Sequence, residues 1–243
     1  MAKLSAKDGV MLIDGYNYST YIADYEYQVA VDPIEVTGLG DGSHNFIPGQ
    51  KIAKLSANGY WENATISTVM STPLENKLVT LMPVGYALGN PTLSMPFMQG
   101  NFNPTGSPST AITLGALEFF SSGDNAGVED GYALAHGTIT DTTTGTGFVD
   151  PTNDAVTAIC AGALHIWTAC AEDTYVVTIE HSTALASGYA TLLTFTTLNG
   201  SAVGSERITK VSGTINKYRR VVATRTGSAD DDFGFSVHFW HAG

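Results

Sequence analysis

Residues 232–240, DFGFSVHFW, alternate strictly: Phe233, Phe235, Val237 and Phe239 fall on one side, and Asp232, Gly234, Ser236 and His238 on the other. A period of two over nine residues matches a β-strand and no helix. Shorter runs of the same kind recur, at Val10–Ile13, Lys77–Met82, Gly131–Ile139, Ala163–Thr168, Tyr175–Glu180, Arg207–Gly213 and Ile215–Thr224. Many short strands joined by Gly-, Thr- and Ser-rich turns predict a mainly β fold of the sandwich or half-barrel kind. The 243 residues suffice for one large β domain or two small ones.

Helical spacing shows twice. Ile66, Val69, Met70 and Leu74 predict a short helix over Ala64–Ser71 behind Asn63 as N-cap, and Tyr189, Leu192, Leu193 and Thr196 predict another over Tyr189–Phe195. Each sits between strands, a weak echo between the two halves of the chain. Thr140–Asp154 is the predicted linker, dividing a unit 1–139 from a unit 155–243, with one merged domain as the alternative.

The stretch Thr37–Trp61 opens with Gly38-Leu39-Gly40-Asp41-Gly42, passes Phe46, and meets Pro48-Gly49, which predicts a turn. A strand Lys51–Tyr60 follows, with Ile52 and Lys54 on one face and Lys51, Ala53 and Leu55 on the other. Tyr25–Val36 reads as a strand interrupted near Pro33. Between 83 and 110 lie Pro83, Pro91, Pro96, Pro104 and Pro108, which argue against a central strand and leave a short edge strand, Leu93–Met98, and a long loop, Asn101–Ser109. Ile112–Phe120 reads as a strand beyond it.

Charge is unevenly placed. Residues 78–206 hold eleven acids and no Lys or Arg; residues 207–225 hold six bases (Arg207, Lys210, Lys217, Arg219, Arg220, Arg225) and no acid. Two readings follow: pairing within the subunit, or one patch meeting the opposite patch of the next copy, a contact that closes rings or propagates filaments. In the basic cluster, Lys217 and Arg219 share one strand face, Tyr218 and Arg220 the other. A net charge of −12 opposes specific nucleic-acid binding.

Motifs for chemistry are weak. The glycine-rich loop lacks the lysine of a phosphate loop. Cys160, His165 and Cys170 lack a fourth zinc ligand and read as reduced thiols around a histidine. Asp230-Asp231-Asp232 has no EF-hand spacing. No nucleophile elbow is present. No catalytic residue, metal or cofactor is assigned. The N-terminus, interrupted by Asp8, does not read as a secretory signal, and no apolar run is long enough for a membrane helix.

Several short motifs together resemble the tail tube (major tail) proteins of long-tailed bacteriophages: Asp14-Gly15-Tyr16, Gly40-Asp41, Phe46-Ile47-Pro48-Gly49 and Gly59-Tyr60. The later run VVTIEHSTALASGYATLLTF, continuing to GTINKYRRVVATR, resembles the C-terminal half of the same group. The proline-rich middle has no match. The resemblance implies a virion protein of the tail, assembled in the host cytoplasm. It implies self-association into six-fold or pseudo-six-fold rings (six copies, or three if the halves are duplicated). Those rings would stack into a tube beside other tail proteins and pass DNA without binding it specifically. Capsid decoration, tail termination, or a carbohydrate- or receptor-binding sandwich are the alternative roles. The subunit contacts expected are Gly40, Asp41, Phe46 and Pro48 in the first loop, Asn101 and Phe102 in the second, and Lys217, Tyr218, Arg219 and Arg220.

Overall fold

The computed structural model describes residues 8–38, 42–61, 70, 75–106, 112–115, 117–121, 129–151, 155–210, 213–228 and 231–242. The fold is mainly β, with eighteen strands among these residues. The chain forms two compact units: Met1–Ser19, Leu78–Ser94 and Glu129–Gly243 make the first, Thr20–Lys77 and Met95–Val128 the second. The division therefore does not fall in 140–154. That segment lies inside the first unit, where β9 (Thr143–Thr144) and β10 (Phe148–Val149) pair with β17 (Tyr218–Thr226).

In the first unit, one sheet runs in the order β15 (Gly204–Lys210), β12 (Cys160–Thr168), β18 (Phe233–His241), β8 (Glu129–Ile139), β6 (from Pro91), β5 (to Met82), β1 (Val10–Ile13), β2 (Tyr16–Asn17). A second sheet holds β10, β17, β13 (Thr174–Ser182) and β14 (Ala190–Thr194). The two bury a shared apolar layer: Leu164 and Ile166 from β12, Val177 and Ile179 from β13, Val221 and Ala223 from β17, and Phe233, Phe235, Val237 and Phe239 from β18. Phe233 stacks on Tyr175 at 4.4 Å and on Phe235 at 4.9 Å. This is the face that alternation in 232–240 predicts. The opposite face of β18 is also sealed: Ser236 and His238 are buried.

The helix expected over Tyr189–Phe195 is strand β14. Leu193 pairs with Ile179 and Thr191 with Glu180, so Leu192 is the extra residue of a β-bulge. The bulge lets adjacent leucines both turn inward, which in the sequence imitates helical spacing. Of the helix expected over Ala64–Ser71, only Met70 lies among the described residues, and it is helical. With β14 a strand, the echo between the halves loses one of its members.

The prolines also behave differently from expectation. β6 spans Pro91–Asn101 and is no edge strand, since it pairs with β8 through Ser94 and with β7 (Leu117–Ser121) from Phe97. Pro91 opens the strand and Pro96 falls where these partners change over, so neither removes a ladder hydrogen bond to them. Of the expected strand Ile112–Phe120, Leu117–Phe120 lies in β7, while Thr113 forms isolated bridges to Tyr60 and Thr105.

The second unit is built on a long antiparallel pair, β3 (Ile22–Glu35) and β4 (Phe46–Gly59), with β7 beside β4. Pro48-Gly49 makes no turn: it lies within β4, and Pro48 faces Pro33 next to a register shift at Val31/Pro33. Two residues without N–H groups oppose each other where the ladder is already irregular, so the strands run on past them.

Candidate functional surface

Residues 207–225 supply bases and residues 78–206 acids, and the fold joins them within one chain. On β17 the side chains alternate, with Arg219, Val221 and Ala223 turned inward. Arg219 is therefore fully buried. Its Nη1 lies 2.6 Å from Asp150 Oδ2, which His241 Nε2 also approaches at 2.8 Å, and its guanidinium sits 4.7 Å from the centre of the Phe239 ring. Burial pulls the Arg219 pKa down and the Asp150 carboxylate opposes that. Arg220, on the outward face, meets Glu180 at 2.7 Å from the directly opposed position on β13 and lies over the Tyr189 ring at 4.0 Å. Arg225 Nε reaches Asp173 at 2.6 Å, and Arg207 forks onto the buried Glu129. Burial raises the Glu129 pKa and Arg207 counters it.

Of the two readings of the charge map, pairing within the subunit accounts for Arg207, Arg219, Arg220 and Arg225. Arg219 is thereby corrected from a contact residue to an internal one. Alternation puts Arg219 on the same face as Val221 and Ala223, but its buried partner Asp150 lies 69 residues away in sequence. Lys217 and Tyr218 are half-buried, as is Arg220.

The other expected contacts divide differently. Gly40 and Asp41 lie outside the described residues, as does the Pro48 side chain. Asn101 is exposed and Phe102 half-buried. Phe46 is 57% exposed, and it is not alone. Near the base of the hairpin β4 alternates as the sequence predicts, with Ala53, Leu55 and Ala57 buried and Ile52 outward. Further out, Val29, Val31, Ile34, Val36 and Ile47 are all exposed, each by 40% or more. Ile34 pairs with Ile47 and Glu35 with Phe46, so apolar side chains stand on both strands of the tip. Among the described residues β3 pairs only with β4, which leaves its outer backbone edge open. At about 3.3 Å per residue, fourteen residues span roughly 46 Å, longer than an ordinary strand. Such an edge, apolar and unpaired, is what solitary proteins avoid.

Among the described residues, no three His, Cys, Asp or Glu side chains converge as metal ligands would. Cys160 and Cys170 are buried free thiols, and burial lifts Cys160 to about 11.

No family model matches the chain, and no curated protein sequence matches it. Among solved structures, it is similar to a chain in the virion of a native gene transfer agent particle, at 15% identity and TM-score 0.43, over 53% of this chain and 98% of that one. A chain in the tail of an empty gene transfer agent particle, with C6 symmetry, gives 16% identity and TM-score 0.41 over 50% and 96%. The SPP1 Dit protein, described as a paradigm of the hub adsorption apparatus in phages infecting Gram-positive hosts, gives 8% identity and TM-score 0.36 over 96% and 99%.

Proposed function

We propose that this chain is a structural protein of a bacteriophage tail, and in particular a tail tube subunit that works by joining copies of itself. One observation carries the reading: the outer half of the β3–β4 hairpin presents apolar side chains on a strand edge that has no partner among the described residues. Burying them against a second copy removes apolar area from water at about 25 cal/mol per Å² and supplies the missing backbone partners. The motifs around Asp14-Gly15-Tyr16 and Phe46–Gly49 support the same class. The contacts are Phe46, Ile34 and Ile47 on the hairpin, with Asn101 beside strand β7. Copies close into rings of six, or three, and stack with other tail proteins. The acidic chain gives passing DNA nothing to hold, and the chain is not an enzyme.

The experiment is electron microscopy of the purified protein, with Ile34→Asp/Phe46→Asp in parallel. Tubes or rings from the natural chain, and a folded monomer from the variant, are expected. A natural chain that stays monomeric at high concentration overturns the proposal; isolated rings that never stack move it to tail termination or capsid decoration.

A further inference from the structure

In the first unit the long sheet curls until its ends meet. β12 and β5 stand four places apart in strand order, yet His165 on β12 has Nε2 2.8 Å from Thr80 Oγ1 on β5. The other ring nitrogen, Nδ1, accepts the backbone N–H of Gly15 at 3.2 Å. Gly15 belongs to the two-residue turn between β1 and β2, where Asp14 has φ 47° and Gly15 φ 85°. That turn is pressed so closely against β12 and β15 that a Cβ on Gly15 would lie 2.5 Å from the Ile166 carbonyl oxygen and 2.4 Å from that of Gly204. One imidazole thus ties the first hairpin and β5 to the far side of the sheet.

Its surroundings suit only the neutral ring. His165 and Thr80 are fully buried, and Ser94, 2.8 Å from Thr80, is nearly so. The other titratable groups around it come from β18, β8, β15 and the β1–β2 turn. From β18 comes His238, with ring centres 6.1 Å apart and its Nε2 on Ser236 Oγ at 2.9 Å. From β8 come His136, half-buried against Tyr86 and Trp167, and Glu129, held by Arg207 of β15. Glu206 of β15 stands opposite Leu164, on the other face of the sheet, where it receives the N–H groups of Thr196, Thr197 and Leu198. From the β1–β2 turn comes Asp14, whose Oδ1 accepts Ser205 Oγ–H and Leu78 N–H. Each nearby carboxylate already has donors of its own, and the nearest rings are histidines.

We propose that His165 is an acid-released clasp: the Nδ1 lone pair holds the Gly15 N–H, and a proton on Nδ1 turns acceptor into donor, ejecting the β1–β2 turn and opening the curled sheet at that seam. The inference is independent of the tail assignment. Burial holds His165 at about 3, against an ordinary 6.5, and pushes His238 well below its ordinary value, the neighbouring histidines adding to the latter. The unfolded or opened state therefore binds the proton more readily. The clasp is at full strength above pH 6.5 and weakens as pH falls from 6.5 toward 3, by about tenfold in the opening constant per pH unit for each histidine released.

The test is hydrogen–deuterium exchange on the full chain between pH 7 and 4, corrected for the intrinsic pH dependence. Protection at Gly15 and its neighbours is expected to fall about tenfold per pH unit below 6.5, ahead of β17. In His165→Asn, whose amide oxygen can take the Gly15 N–H but no proton, that slope is expected to vanish. NMR of the natural chain, labelled at the imidazole nitrogens, reads the same point without a variant: Nδ1 bare and Nε2 protonated while the turn is closed. Protection at Gly15 that ignores pH, loss that coincides with β17, or an Nδ1-protonated ring at pH 7 each overturns the proposal.

Discussion

Strands β18 and β3 are both apolar and alternating, and they meet opposite fates. β18 is buried on both faces from Phe233 to Phe239. β3 is exposed in its outer half, at Val29 to Val31 and Pro33 to Glu35. The difference lies in what the rest of the chain can bring to each. β18 stands third in its sheet, between β12 and β8, with a second sheet over one face and the polar layer of His165, Thr80 and Ser94 on the other. β3 has β4 on one edge and nothing described on the other. A strand of the first kind contributes to the stability of the monomer; one of the second kind gains its stabilisation when another chain arrives.

The largest effect that could break this contrast belongs to Arg219. Replacing it with Glu leaves two buried carboxylates facing each other under Phe239, and the monomer should lose about 3–5 kcal/mol or fail to fold. Denaturant unfolding measures this; a loss under about 1 kcal/mol would mean that the pair is not sealed inside the chain. Phe235→Ala comes next, with an expected loss of about 3–5 kcal/mol from the transfer and cavity terms together, read from the same curves. At the small end, Ile34→Thr with Ile47→Thr should move the monomer's stability by no more than about 0.5 kcal/mol. Sedimentation should nevertheless show weaker self-association. A cost to the monomer equal to that of Phe235→Ala would show that the tip is core after all.

Much of the fold was legible. The Asp14-Gly15 turn, the apolar row of β18, the shared face of Ala53 and Leu55, and most strands follow from alternation and turn chemistry. The misses share a cause. Pro91 and Pro96 were tolerated in a paired strand because their positions coincide with a strand start and a change of partner, and Pro48 because it faces Pro33. Leu192 and Leu193 imitated a helix because a bulge turns both inward. Each depends on a partner strand far away in sequence. Of the expected contacts, Phe46 is exposed, at the start of β4 and not in a loop, whereas Arg219 looked like a surface cation because Asp150 is distant in sequence.

Alternation along the chain says which side chains share a face, since successive residues of a strand point opposite ways whatever surrounds them. That local geometry decided the β class, the apolar row of β18 and the pairing of faces on β17 and β4. Whether a face meets water, another sheet or a buried carboxylate is set by segments many residues away. Only the folded chain could decide that Arg219 is interior, that Ser236, His238 and His165 line a closed polar seam, and that the β3–β4 tip is left bare.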